Sequence, residues 1–220
     1  MYAYGICEAS AAAPPPSRRG LGGARVRALQ SDGLAAVYSR HRSLQPRPSR
    51  EGVLAHERVL EAIMERGPVL PLRFGTQLES EEELAAVLAE RRDELARGLE
   101  RVRGRVELGL RVLPERRDRA VGGSGERSGR EYLQARVDEH RRAERAAAEL
   151  HPPLAALASA SRLQEQPAPP AILVGSYLVA EDQIEAFRAR ADELAARHRE
   201  LQLVVTGPWP PYSFATEEDR

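Results

Sequence analysis

The sequence lacks several features that would assign it to a common functional class. It contains no lysine, so its 33 basic residues are all arginine, and 33 acidic residues bring the formal net charge to zero. A nucleic-acid-binding protein carries a clustered basic excess, which this composition does not supply. Without lysine, a glycine-rich loop also lacks the residue that completes a phosphate-binding motif. We therefore expect no nucleic acid among the partners.

Cysteine and long apolar runs are equally scarce. The single cysteine, Cys7, cannot form an internal disulfide or a cysteine-based zinc cage. No stretch approaches the ~18 consecutive apolar residues of a membrane span. No Asp, Glu or His cluster has the spacing of a metal site. We expect a soluble, cytoplasmic protein that uses neither a cofactor nor a metal.

Helix and strand patterns are mixed along the whole chain, which predicts an α+β fold. Asp32-Gly33 between two apolar runs predicts a hairpin over residues 24–39. Ser80 followed by Glu83 predicts a capping box that opens one long helix ending near Arg103. Other strands are predicted at 2–7, 69–76, 105–113, 171–179 and 201–205, and other helices at 53–66, 131–150 and 181–199. The helix after residue 131 is expected to break at Pro152-Pro153 and to resume through residue 163.

Polar loops that are rich in glycine and proline suggest how the chain is divided. The segment 114–129 separates two regions that each contain helices and strands. We therefore predict two small sheet-plus-helix domains, 1–113 and 114–207, followed by a C-terminal tail at 208–220.

The tail concentrates aromatic residues in a proline-rich setting. It holds the only tryptophan, Trp209, and three prolines between residues 208 and 211. Proline excludes a helix or a central strand here, and disordered segments are poor in aromatic residues. The rings either pack on the protein's own sheet or anchor a partner; a mobile ligand for an aromatic groove is a third reading. The candidate partner-binding residues are Trp209, Pro210, Pro211, Tyr212 and Phe214.

Arg73 stands out among the charged residues because it lies in a predicted strand between two apolar neighbours. A guanidinium in that position stays charged and needs a carboxylate partner. Glu107, in another predicted strand, and Glu57, in a predicted helix, are the candidates. We expect a structural ion pair between Arg73 and one of them.

A catalytic alternative uses some of the same residues. His56-Glu57 resembles the start of a zinc-protease motif, but position 60 is Leu60 where that motif has its second histidine. His56 also lies on the apolar face of its helix, as a core histidine would. The alternative is a small α+β enzyme with an interdomain pocket around Arg73, His56 and Glu107, although no paired acid and base occur at recognisable spacing.

Four motifs in a fixed order carry a resemblance to a known family. They are Tyr2–Ile6, His56–Val59, Gly67–Thr76 and Gly207–Phe214. In that order and at those distances, the sequence resembles the gas vesicle protein F/L family over its whole length.

This resemblance implies both a fold and a function. It implies an N-terminal α+β domain that is ferredoxin-like in outline, and a second α+β domain closed by the C-terminal tail. The implied function is that of a non-enzymatic accessory or structural protein of gas vesicle formation. Its implied partners are the small hydrophobic shell protein and other vesicle accessory proteins, and its implied location is the gas vesicle.

Overall fold

A computed structural model of the 220-residue chain describes residues 1–12, 19–41, 49–115, 141 and 144–216. The chain forms two compact units. The first unit combines Met1–Glu107 with Trp209–Arg220, and the second is Leu108–Pro208. The aromatic tail thus belongs to the first unit, although it follows the second in sequence. Nearly all of the predicted dividing segment, 114–129, lies outside the described residues, so the predicted boundaries stay predictions.

The first unit contains a four-stranded antiparallel sheet with the strand order β2-β3-β1-β4. Its strands are β1 (Tyr2–Glu8), β2 (Val26–Ser31), β3 (Leu34–Ser39) and β4 (Val69–Pro71). The predicted hairpin joins β2 to β3, and its turn residues Asp32 and Gly33 have φ angles of 46° and 82°. Positive φ angles at both positions are the mark of a type I′ turn, one of the two favoured two-residue hairpin turns.

The edge strand β4 is shorter than the sequence predicts. It ends at Pro71 rather than at residue 76, because the chain turns there and the Thr76 N–H donates to the Arg73 carbonyl at 3.1 Å. Its edge position is compatible with Pro71, since proline is tolerated at sheet edges.

Three helices accompany this sheet: α1 (Arg50–Met64), α2 (Glu81–Glu90) and α3 (Arg92–Val102). The Ser49 hydroxyl caps α1, and the Ser80 hydroxyl accepts a hydrogen bond from the Glu83 N–H at 3.1 Å, as the capping box predicts. Each cap satisfies a backbone donor that the first helical turn would otherwise leave unpaired.

The single long helix predicted from residue 81 to Arg103 is wrong, because the chain breaks at Arg91. An unbroken helix would turn positions 91 and 92 toward the core after the buried Leu88. Both positions are arginine. The break keeps these charges exposed while Leu95 and Leu99 still become buried.

The core of the first unit joins its sheet to α1. Its buried members come from all four strands, from α1 and from the turns that precede β2. They are Tyr2, Tyr4, Cys7, Ala11, Ala12, Leu21, Val26, Ala35, Val37, Val59, Leu60, Ile63 and Val69, with Phe74 and Tyr212 packed against them.

The second unit is built around a four-stranded sheet with the order β6-β7-β5-β8. The strands are β5 (Arg105–Pro114), β6 (Ala160–Leu163), β7 (Leu173–Ala180) and β8 (Leu201–Trp209), and the helices are α4 (144–155) and α5 (Ile184–Arg197). The strand predicted at 105–113 is confirmed as β5, in which Val106, Leu108, Leu110 and Val112 are all buried.

The predicted helix break at Pro152-Pro153 is wrong. Helix α4 continues to residue 155, and the Ala156 N–H donates to the Pro152 carbonyl at 3.0 Å. Leu150 and Leu154 are fully buried on this helix, and that burial offsets the backbone donors that the prolines lack. Residues 160–163 form strand β6 against β7, not a resumed helix. Most of the predicted helix before residue 144 lies outside the described residues.

The α+β fold class is confirmed, whereas the ferredoxin-like outline stays a prediction. A ferredoxin-like domain carries a helix between its first two strands. The described part of that connection contains only two 3-10 turns, Ala9–Ala11 and Leu21–Gly23. Within the described ranges, no helix is both long enough and apolar enough to span a bilayer.

Candidate functional site

The aromatic tail begins where β8 ends at Trp209 and continues into a 3-10 turn, Tyr212–Phe214. Pro210 and Pro211 are buried, and Phe214 is only 3% exposed. Trp209 differs from its neighbours because 45% of its surface is exposed. The two prolines therefore do not offer the free surface that a proline-rich ligand would need.

Two carboxylates of the first unit hold the tail in place. The Tyr212 hydroxyl donates to Oε1 of Glu57 on α1 at 2.7 Å. Ser213 donates twice to Glu107 of β5, from its backbone N–H to Oε2 at 2.8 Å and from its hydroxyl to Oε1 at 2.6 Å. Hydrogen bonds to ionised acceptors are stronger than neutral ones, so these three contacts fix the tail's path.

An arginine adds a fourth contact at the end of the tail. The Arg101 guanidinium of α3 donates to the Phe214 carbonyl at 3.2 Å. Tyr212 packs against the core cluster of the first unit. The inner half of the tail is thus a structural part of that unit.

The environment of the Tyr212–Glu57 contact raises the pKa of both side chains. Burial, with the neighbouring Glu57 carboxylate, raises the pKa of Tyr212. Burial also raises the pKa of Glu57, although the hydrogen bond from Tyr212 opposes this shift. The proton therefore stays on the phenol, and Tyr212 acts as the donor.

The environment of Arg73 differs from the one that the sequence predicted. Arg73 is exposed beyond the end of β4. Both carboxylates that the sequence offered as its partners, Glu57 and Glu107, are hydrogen-bonded to the tail. Sequence reasoning singled out these two acidic residues but missed that Tyr212 and Ser213 contact them.

His56 occupies the core rather than a cleft. It has no exposed surface; the Tyr2 hydroxyl lies 2.8 Å from Nδ1, and Nε2 lies 3.1 Å from the Leu72 carbonyl. Because a carbonyl only accepts, Nε2 carries the proton and Tyr2 donates to Nδ1. Burial lowers the pKa of His56 to about 4, so the ring is neutral. Both ring nitrogens are occupied, which leaves no free base.

The residues of the catalytic alternative do not converge on a described cavity. A cavity of about 290 Å³ in the first unit is lined by the end of β1, the β2–β3 hairpin and α3. Its charged lining residues are Glu8, Asp32, Arg92, Glu100 and Arg103. None of these is Arg73, His56 or Glu107. Among the described residues, no group of three or more His, Cys, Asp or Glu side chains could hold a metal ion.

Two further apolar side chains are exposed in the first unit. Val53 and Leu54, near the start of α1, are 38% and 48% exposed. Both lie in the first turns of α1, ahead of its buried residues His56, Val59 and Leu60.

These features define an α+β protein of two units whose C-terminal aromatic tail is held by two carboxylates. The chain belongs to the gas vesicle protein F/L family, because the family described as gas vesicle synthesis protein GvpL/GvpF matches residues 1–216. Its role therefore lies in gas vesicle formation. The resemblance read from the four sequence motifs is confirmed.

Individual relatives cover nearly the whole chain. Gas vesicle protein F2 of Halobacterium salinarum is 30% identical over 217 residues, which are 97% of this chain and 91% of that protein. Gas vesicle protein F of a Streptomyces species is 32% identical over 234 residues, with 97% and 98% covered. Gas vesicle protein L of the same Streptomyces strain is 28% identical over 254 residues, with 100% and 94% covered. The similarity thus extends to both branches.

Solved structures share the fold. The crystal structure of gas vesicle protein GvpF from Anabaena sp. PCC7120 matches with a TM-score of 0.81 at 20% identity, over 99% of this chain and 96% of that one. The structure of GvpF from Microcystis aeruginosa matches with a TM-score of 0.77 at 20% identity, over 98% of each chain. This chain therefore has the same fold as these proteins.

Proposed function

We propose that this protein is a non-enzymatic accessory protein that binds the small hydrophobic shell protein, together with other vesicle proteins, during gas vesicle assembly. It acts at the gas vesicle. The observation that carries this proposal is Trp209, a large aromatic side chain that is 45% exposed beside a tail held by hydrogen bonds.

The physical need for such a protein follows from the shell. A small, very hydrophobic subunit exposes apolar surface in water before it is assembled, and such surface drives aggregation. A protein that covers this surface prevents aggregation without any chemical step. This role requires an apolar contact residue on a stable scaffold rather than a catalytic group.

Trp209 suits this role because its position is fixed before binding. The residues that follow it are buried or hydrogen-bonded to Glu57 and Glu107. Binding therefore orders little additional chain, and affinity is not lost to that ordering. Tryptophan is also enriched among the residues that contribute most to protein interfaces.

The non-enzymatic part of the proposal is supported by the environment of the candidate catalytic residues. His56 is buried with both ring nitrogens occupied, and Arg73 is exposed at a turn. Glu107 is 9% exposed and accepts two hydrogen bonds from Ser213. A proton-transfer site needs a group that can reach its substrate, and both His56 and Glu107 are already held by hydrogen bonds within the protein.

The test is to co-express the tagged protein with the host's small shell protein and to measure affinity capture and the soluble fraction of that shell protein. Capture by the wild-type protein is expected, and Trp209→Ala should lower it by roughly tenfold or more, as at an interface hot spot. Leu54→Ala is the matched control, since it removes an equally exposed apolar side chain from the same unit. Failure of the wild-type protein to capture or solubilise the shell protein would overturn the proposal. An equal loss of capture in both variants would show that Trp209 is not the specific contact.

A further inference from the structure

Strand β8 forms one edge of the sheet in the second unit. It spans nine residues, Leu201–Trp209, and contains no charged side chain. In the part of the chain that the structure describes, only β5 pairs with it. Its outer side therefore presents backbone donors and acceptors that could pair with another strand.

The other three edges of the two sheets are protected in the ways that natural proteins use. Strand β4 has three residues and includes Pro71. Strand β6 has four residues and carries Arg162. Strand β2 carries Arg27, and helix α2 packs against it. Short length, proline, charge and a covering helix each prevent unwanted pairing, and residues 201–206 of β8 have none of these protections.

The side chains of this edge add an apolar character on both faces. Leu201, Leu203 and Val205 alternate with Gln202, Val204 and Thr206, and the four apolar members are only half-buried. β-Branched residues such as Val204, Val205 and Thr206 favour pairing in a sheet. An incoming strand would find apolar neighbours on both of its faces and no charge to attract a charged segment.

We propose that the outer edge of β8, over residues 201–206, binds an extended, uncharged, apolar segment of the shell protein by strand addition. The inference rests on the proposed function and adds a second surface to it, on the second unit. Strand addition gives affinity through the main chain and selects partners by the alternate side chains. A six-residue pairing falls well short of the roughly 1,200 Å² that a stable interface buries. A contact of this size suits a subunit that is later handed to the growing shell better than it suits a permanent dimer of this chain.

The test places charge on the edge without disturbing the core. Gln202 and Thr206 are both exposed and lie on the same face of β8, so Gln202→Lys with Thr206→Lys protects the edge as natural edge lysines do. Gln164→Lys with Gln166→Lys is the matched control, because it adds the same charge at exposed positions of the same unit. In co-expression with the host's shell protein, we expect the edge variant to lose about tenfold in capture and the control to behave as the wild type.

The outcomes separate this inference from the proposed function. If the wild type captures no shell protein, the proposed function fails, and the edge inference fails with it. If the wild type and the edge variant capture equally, only the edge inference is overturned.

Hydrogen exchange provides a second readout that does not depend on a variant. Amides of residues 201–206 that point away from β5 should exchange rapidly in the free protein and slowly in the captured complex. Slow exchange in the free monomer would mean that another part of this chain covers the edge. A dimer of the free protein that the lysine pair abolishes would identify a second copy as the occupant. Either result would overturn the inference.

Discussion

Trp209 and Phe214 lie five residues apart in one aromatic tail, yet their environments are opposite. Phe214 is 3% exposed, and Trp209 is 45% exposed. By composition alone both belong to one cluster with two possible uses, packing inside the protein or contact with a partner. The comparison indicates that the tail divides these uses: its inner half completes the first unit, and its outer residue remains available for contact.

The division depends on hydrogen bonds as well as on burial. Tyr212 and Ser213, which lie between the buried prolines and Phe214, are hydrogen-bonded to Glu57 and Glu107. Trp209 precedes all of these contacts. The inner half should therefore determine stability, and the outer residue should determine binding.

The largest expected effect is that of Phe214→Ala. Removal of a buried phenylalanine side chain should lower the free energy of unfolding by about 3–5 kcal/mol, through lost burial and the cavity that remains. Urea unfolding followed by circular dichroism measures this change. Trp209→Ala is the comparison, and as a surface substitution it should change stability by only about 0.5 kcal/mol. A similar loss of unfolding free energy in the two variants would contradict the proposed division of the tail.

A second prediction concerns Glu107. Glu107→Ala leaves the Ser213 N–H and hydroxyl without their acceptor, and a hydrogen bond to a charged group contributes about 1.5–3 kcal/mol. We expect a loss of about 2–3 kcal/mol in the same assay, and a smaller loss of about 1 kcal/mol for Ser213→Ala, which keeps the backbone contact.

Arg73→Ala sharpens this second prediction. If Glu107 is held by the tail rather than by an ion pair with Arg73, removal of the exposed guanidinium should change stability by no more than about 0.5 kcal/mol. A loss as large as that of Glu107→Ala would restore the pair that the sequence suggested. The two variants therefore distinguish the two partners of one carboxylate.

Local patterns in the sequence were sufficient for much of the fold. The Asp32-Gly33 turn, the Ser80 cap and the strand at 105–113 depend on neighbours within a few residues, and each is confirmed. The family resemblance also rests on local motifs. The break at Arg91 was missed because the predicted helix was continued through two arginines that the core does not accept.

Contacts between distant segments could not be predicted in the same way. Glu107 and Ser213 are separated by 106 positions, and Glu57 and Tyr212 by 155. Polarity identified Glu57 and Glu107 as residues that need partners, but a tyrosine and a serine satisfy a carboxylate as an arginine does. Which of these residues becomes the partner depends on where the tail packs in the folded protein. A local sequence pattern does not carry that information.

A further prediction links acidity to the core of the first unit, where His56 is buried. His56 lies next to Glu57 on α1, and burial lowers its pKa to about 4, whereas an unfolded histidine titrates near 6.5. Between these values the unfolded chain binds the extra proton, so stability is complete above about pH 6.5 and declines as the pH falls toward 4. From pH 7 to pH 5 we expect a loss of about 2 kcal/mol from His56.

His56→Gln tests this assignment because glutamine does not titrate. The variant should be less stable at pH 7, since it loses the ring's contacts with Tyr2 and Leu72, but its unfolding free energy should fall less between pH 7 and pH 5. Burial also lowers the pKa of His41 and His151, so part of the decline should remain. An unchanged pH dependence would show that protonation of His56 does not cause the loss of stability in acid. A reduced pH dependence, with Trp209-dependent capture of the shell protein preserved at pH 7, would assign the acid sensitivity to the core of the first unit and leave the proposed contact at Trp209 unaffected.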